Sequence, residues 1–423
     1  MTEHIKHTPL HSWHAGQGAN MASFGGYHMP LWYFSAKDEH LAVLTRAGLF
    51  DTSHMAVILI NGSWPRELLQ TTFSRDLQAC LGKNQTPLRP GRMVYGVFLN
   101  SYGHVIDDAI ITQLDEALFM VVVNAGMGPT IAAHLQEHVS DSGTQITDLT
   151  DQVGKIDIQG PRSGIIMSRL LKDPDAVFAR MPYFSSHGHI QTDKTDTRLR
   201  DDTPVLMSRS GYTGEFGFEI FVRAQDLVSA WSLIMDVGQP DGLIPCGLAA
   251  RDSLRAGAVL PLSHQDIGDW PFLNTPWDFA LPWTAGGQGF SKDFSGAKAL
   301  LDVQNAPQTA AFVGQDLRKV SAGSESQVLT AEDEPLGTVL TCATDVGIGW
   351  HEGRIYSVAS PDAPADFKPR GLCCGFVRVT SSVQPGDTLK LQDKRRKLEV
   401  KVAQDIRPDR TARKPLSVML ESL

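Results

Sequence analysis

Apolar positions along the first part of the chain recur at helical spacing and then at strand spacing. In "KDEHLAVLTRAGLF" (37–50), Leu41, Leu44 and Leu49 predict an amphipathic helix with Gly48 near its end. "AVILING" (56–62) is a continuous apolar run into an Asn-Gly turn and predicts a strand. "SWPRELLQTTF" (63–73) predicts a helix with Ser63 as N-cap and Pro65 in the first turn. "MVYGVFLNSYGHVIDDAIITQL" (93–114) predicts a hairpin turning in "NSYG", and "ALFMVVVNAG" (117–126) a third strand. Helix, strand, helix and three strands in that order predict an α+β fold rather than a doubly wound sheet.

The polar stretch "SSHGHIQTDKTDTRLRDDT" (185–203) separates this part from two strands joined by a glycine-rich turn over 204–222. Helices are predicted over 224–238, ended by Gly238, and over 247–260, where "GLAARDSLRAGAVL" carries an apolar stripe. From about residue 308 the texture changes to short alternating strands at 335–344, 373–379, 387–392 and 398–403, with 320–334 as a polar loop. That pattern predicts a small barrel-like β unit. The chain therefore divides into 1–307 and 308–423.

Composition narrows the function classes. A hydrophobic share of 42% over 423 residues is enough for a sizeable core without disulfide or metal staples. A formal net charge of −9 argues against nucleic acid or an anionic membrane surface as partner. The five cysteines include no C-x-x-C pair, and the start "MTEHIKHTPLHSWHAGQGAN" lacks a secretory apolar stretch. "ALFMVVV" (117–123) is too short to cross a bilayer. A reducing, cytoplasmic setting is expected.

Generic chemical motifs are sparse. "HLQEH" (134–138) lacks the H-E-x-x-H order and reads as a surface helix pair, and "HGH" (187–189) sits in a polar loop, so no metal site is expected. "DKRRK" (393–397) reads as a solvated hairpin turn. In "SGYTGEFGFEI" (210–220), Gly211, Gly214 and Gly217 mark a tight turn flanked by Glu215 and Glu219. Arg251 and Arg255 lie four apart on one helical face, either salt-bridged through Asp252 or forming a fork for an anion. "IDDAII" (106–111) is less ordinary, because adjacent carboxylates in an apolar strand are costly unless paired. Asp108 shares a face with Ile106 and Ile110, and Asp107 with Val105 and Ala109. Periodicity alone does not choose between the two acids.

Taken in order, these stretches resemble the aminomethyltransferase (T-protein) family of the glycine cleavage system and its tetrahydrofolate-dependent relatives. The resemblance runs through "TPLHSWH" (8–14), "FGGYHMPLWY" (24–33), "LFDTSHM" (49–55), "YGVFLNSYGHVIDDAI" (95–110) and "VVVNAG" (121–126). It continues through "IDIQGP" (156–161), "SGYTGEFGFEI", "GLAARDSLRAGAVLPLSHQDI" (247–267), "FSGAKAL" (294–300) and "LGTVLTCAT" (336–344), and so covers nearly the whole chain.

The resemblance implies two interlocked α+β domains and a small C-terminal β-barrel around a central channel. It implies transfer of a one-carbon unit to tetrahydrofolate from the aminomethyl-lipoyl arm of the H-protein, with release of ammonia and 5,10-methylenetetrahydrofolate. Residue by residue, it places Asp108 beside N5 of the pterin as the catalytic acid, with Asp107 next to it among the folate contacts. Glu215 would accept hydrogen bonds from the pterin ring, and Arg251 would meet a carboxylate or order the pocket. Tyr95, Asn124 and Tyr212 would line the pocket, with Met55 near the reacting carbon.

Two stretches depart from the family pattern. Trp32 stands where glutamine is usual, and Leu262-Ser263 replaces the usual Leu-Tyr-Gly, followed by Trp270, Trp277 and Trp283. These tryptophans either fill core space or reshape the donor side. In the second case the donor would be a small methylated compound (a sulfonium, methylamine or aryl methyl ether) in place of the lipoylated H-protein.

Overall fold

The structure, a computed structural model, describes residues 5–189 and 195–421; residues 190–194 of the polar stretch lie outside it. The chain enters a six-stranded sheet with Ala47–Asp51, leaves it to build a five-stranded sheet from segments between Ala56 and Asp148, and then returns. The six-stranded sheet runs in the order Ser186–Gly188, Leu206–Ser208, Gly217–Arg223, Val153–Gln159, Ala47–Asp51, Leu243–Pro245. Its pairings are antiparallel except the last, which is parallel. The five-stranded sheet runs Arg92–Leu99, Val105–Asp115, Leu118–Val123, Ala56–Asn61, Gln145–Asp148. This excursion and return interlock the two sheets, and the architecture is multi-domain α+β.

Six strands between Gln308 and Val402 close into a barrel. The supposed polar loop 320–334 contributes one of them, Gln327–Leu329, correcting the sequence expectation. Its Val328 joins the buried cluster of the barrel, an override that three residues cannot announce locally. Likewise His187, placed in a loop by the sequence, lies in the edge strand Ser186–Gly188, paired with Leu206–Ser208.

The helix predicted over 37–50 ends at Thr45, and Ala47–Asp51 is a wholly buried strand. Pairing on both sides supplies the ladder bonds that outweigh the helical pattern. Gly48 is required there, since a Cβ would sit 2.6 Å from Cys246 Sγ and from a Val43 methyl. The next predicted helix begins at Pro65 with Trp64, not Ser63, at the cap position and no capping side-chain bond. The hairpin over 93–114 and the helices Leu227–Gly238 and Leu248–Gly257 fall where the apolar pattern places them. Among the described residues no helix is long and apolar enough to cross a membrane.

Buried polar networks join the units. Asp51 accepts from Thr8 Oγ1 at 2.7 Å and lies 2.9 Å from His14 Nε2, while Tyr33 Oη meets His14 Nδ1 at 2.8 Å. These bonds tie "TPLHSWH" to "LFDTSHM", so much of those two stretches serves folding. Asp345, in the barrel strand Pro335–Asp345, pairs with Arg407 at 2.5 Å and His40 at 2.9 Å, fastening the barrel to the helix Ala36–Thr45.

Candidate active site

A cavity of about 1580 Å³ lies where the two sheets, the Leu248–Gly257 helix and the barrel meet. Its walls carry nine basic side chains, of which Lys155, Arg251, Arg255 and Arg410 are ion-paired to acids while five, Arg75 and Arg92 among them, are in no ion pair among the described residues. In a chain of net charge −9, this local excess of positive charge favours an anionic ligand.

Burial alternates along Val105–Asp115, with Val105, Asp107 and Ala109 buried and Ile106, Asp108 and Ile110 half-buried. The half-buried face turns Asp108 and Ile110 to the cavity. Asp108 Oδ2 accepts from Tyr95 Oη at 3.0 Å and Oδ1 from Asn124 Nδ2 at 2.6 Å. Each oxygen therefore keeps acceptor capacity for a ligand. The Asp108 carboxyl is pushed up to about 7, chiefly by burial and then by the negative charge of Asp107.

Asp107, expected among the folate contacts, does not line the cavity. Fully buried, it accepts from Asn124 N (2.8 Å), Asn124 Nδ2 (2.8 Å) and Ser263 Oγ (2.7 Å). It thus orients Asn124 beneath Asp108 and adds its charge to the pair. Ser263, one of the departures noted in the sequence, thereby acquires a role as a donor to the acid pair.

The opposite wall is a run of alternating charges. Lys155 Nζ lies 2.5 Å from both Asp157 Oδ1 and Glu219 Oε1, and Arg251 Nη1 donates to Asp157 Oδ2 at 2.8 Å. Burial would raise Asp157, but Lys155 and Arg251 outweigh it and hold the carboxyl below its ordinary value. The Arg251 guanidinium also sits 4.9 Å from the Tyr212 ring centroid, and Tyr212 Oη donates to the Pro261 carbonyl. Arg251 and Tyr212 both line the cavity. Arg255 is committed to Asp252 and Asp266, so the two arginines do not form an open fork.

Glu215, expected as the pterin acceptor, is not in the cavity wall. At 3% exposed, its carboxylate takes Arg407 Nε at 3.1 Å and Thr411 Oγ1 at 2.7 Å. Gly214 before it has φ +79°, which swings the chain so that Glu215 points away toward Arg407. Glu219, two residues into the Gly217–Arg223 strand, is the acid of this segment that reaches the cavity.

Met55 lines the cavity beside His54, which the sequence reading passed over. His54 is 2% exposed, its Nδ1 has no hydrogen-bond partner, and burial lowers it to about 4. It is a neutral imidazole with one polar atom unspent, and its place inside "LFDTSHM" was the available signal. Of the four unusual tryptophans only Trp277 reaches the wall, 2% exposed with Nε1 donating to Val259 O at 3.0 Å. Trp270 lies against Arg378 and Trp283 against Phe290, as packing groups.

A pterin with an acidic tail fits this donor and acceptor set. Spare carboxylate lone pairs face the cavity, Tyr95 and Tyr212 supply flat surfaces, and the excess of cations suits the tail.

Comparison with known proteins gives one consistent picture. The family model described as "GCVT N-terminal domain" matches residues 10–286. The aminomethyltransferase of Symbiobacterium thermophilum is 32% identical over 345 residues, spanning 81% of this chain and 86% of the relative. That of Bacillus subtilis is 37% identical over 263 residues, spanning 62% and 67%. Among solved structures, the glycine cleavage system aminomethyltransferase T from Bartonella henselae superposes with a TM-score of 0.74 at 26% identity, covering 94% of this chain and 97% of that one.

Proposed function

The chain belongs to the aminomethyltransferase family of enzymes, and on that premise we propose that it passes a one-carbon unit to tetrahydrofolate in glycine cleavage. The donor is the aminomethyl group on a sulfur of the lipoyl arm of an H-protein, and the products are ammonia, 5,10-methylenetetrahydrofolate and the lipoyl arm released as its thiol. The observation that carries this reading is Asp108, a cavity-facing carboxyl pushed up to about 7 and oriented by Tyr95 and Asn124. A group at that value can hold or release a proton near neutral pH.

When bound, tetrahydrofolate supplies N5 as the nitrogen that receives the carbon. Ionised Asp108 stabilises positive charge developing at that nitrogen and can take its proton. Tyr95 and Asn124 hold the carboxylate in place, so little reorganisation accompanies the reaction. Glu219 takes over the pterin-accepting role that the resemblance implied for Glu215, because it is the acid that reaches the cavity. Arg251 and Tyr212 form the wall beside it, and the surplus cations draw the glutamate carboxylates. Residues 1–307 would act as the catalytic region, with 308–423 as the barrel closing one side.

The alternative, a small methylated donor, rests on the departures that do reach the cavity, Trp277 and Leu262, since Trp270, Trp283 and Trp32 stand outside the wall. Product analysis by mass spectrometry tests the reading. Methylenetetrahydrofolate and ammonia formed from aminomethyl-loaded H-protein support it. Methyltetrahydrofolate from a sulfonium, methylamine or aryl ether donor, with no product from the H-protein, overturns it.

A further inference from the structure

Three histidines from separate segments meet near the first helix, at a distance in sequence that no linear motif describes. His11 opens the helix His11–Gly16, His28 is the second residue of the strand Tyr27–Trp32, and His7 precedes both. Backbone bonds hold the segments in register. Lys6 N–H donates to Gly26 O at 2.9 Å, His28 N–H to Lys6 O at 2.9 Å, and His11 N–H to Thr8 O at 3.0 Å.

The rings converge as well. His11 Nε2 lies 2.9 Å from His28 Nδ1, and the His7 and His11 rings stack with centroids 3.7 Å apart and planes 6° apart. One nitrogen from each of the three lies within 4.8 Å of the others. Among the described residues none of the three is ion-paired to a carboxylate, and the neighbouring Lys6 is drawn to Asp151 at 3.7 Å.

We propose that His7, His11 and His28 bind a divalent transition metal of the zinc class through three imidazole nitrogens, leaving one position open. Zinc–nitrogen bonds of about 2.0–2.1 Å in a tetrahedron place nitrogens roughly 3.3 Å apart, close to the His11–His28 separation. The exposed His7 turns out of its stack to supply the third nitrogen. Imidazole donors suit zinc, nickel and copper over calcium or magnesium. The bound ion ties the segment before the first helix to the hairpin whose other strand, Asn20–Phe24, places Ser23 and Phe24 in the cavity wall. Its effect is on the stability of that hairpin, and it is independent of the transfer chemistry proposed above.

The test uses the full chain, stripped with a chelator and titrated with Zn²⁺ against a chromophoric chelator. One equivalent per chain, a higher Tm and the visible d–d bands of a low-symmetry site with Co²⁺ are the expected results. His11→Ala and, separately, the exposed His7→Ala each weaken binding by at least about tenfold with unchanged far-ultraviolet dichroism. If His11→Ala does not fold, His7→Ala carries the test alone. No saturable binding, or one-equivalent binding that His7→Ala leaves intact, overturns the proposal.

Discussion

Tyr95 reaches the Asp108 carboxylate diagonally across two antiparallel strands, its hydroxyl 3.0 Å from Oδ2, because Tyr95 is registered opposite Ile110 and Val97 opposite Asp108. The hairpin therefore places a donor on the acid before any ligand arrives. Burial raises Tyr95 well above its ordinary value, so the phenol stays protonated and donates across the working pH range.

Asp108→Asn keeps the size of the side chain and its bond from Asn124 but removes the charge and the proton acceptor. Turnover is expected to fall by about 10²–10⁴, while tetrahydrofolate affinity changes only a few-fold. Steady-state kinetics beside equilibrium binding checks this. Turnover within tenfold of the parent removes Asp108 from the catalytic role.

The same substitution carries a stability signature. A carboxyl whose folded value is raised loses stability as pH climbs from its unfolded value, about 3.9, to its folded value of about 7. Asn does not titrate. The stability advantage of Asp108→Asn over the parent should therefore grow between pH 4 and about 7 and level off above. Thermal melts across that range would show a flat difference if the carboxyl were unperturbed.

The pH profile tests the acid pair. With ionised Asp108 as the active form, kcat/KM rises with pH through a limb near 7. Asp107→Asn removes the like charge and moves the limb to lower pH. Burial, the larger cause, remains and keeps it above the ordinary carboxylate range. The variant costs about 1–3 kcal/mol, since its amide would face the Asn124 N–H. An unmoved limb would mean that Asp107 does not act on the titrating group.

Glu215 and Glu219 separate by their partners. Glu219→Gln should weaken folate binding by about tenfold or more, one lost charge-assisted contact being worth roughly 1.5–3 kcal/mol. Glu215→Gln should leave affinity intact and lower stability by about 1–3 kcal/mol, because it removes one of the two carboxylates that face the buried Arg407, Asp345 being the other. Calorimetric binding and chemical denaturation of both variants decide. The reverse pattern would return the pterin contact to Glu215.

Asp345→Asn should loosen the barrel from the rest of the molecule, at a cost of about 3–5 kcal/mol. Burial pulls the Asp345 carboxyl up, but Arg407 and His40 outweigh it and hold it well below its ordinary value. The stability it contributes is therefore present above pH 4 and lost as pH falls below the unfolded value of about 3.9. Urea denaturation at pH 7 and in the acid range should show the variant and parent converging at low pH.

Local pattern alone determined a good deal here. The hairpin over 93–114, the helical stripe over 247–260 and the alternating strands after 308 follow from side-chain periods of two and 3.6. Those periods divide Asp107 from Asp108 but do not say which face turns inward. That choice belongs to the packing of one sheet against another. Glu215 is bound by Arg407, 192 residues away, so no nearby residue could have announced that it turns from the cavity. Ala47–Asp51 became a strand because Val153–Gln159 and Leu243–Pro245 flank it, against its own helical pattern. His7, His11 and His28 meet only once the first helix lies on the strand that follows. The sequence sets faces and turns, which are short-range; contacts between distant segments decide which face is buried and which charges are spent, because desolvation and pairing depend on the whole surroundings of a group.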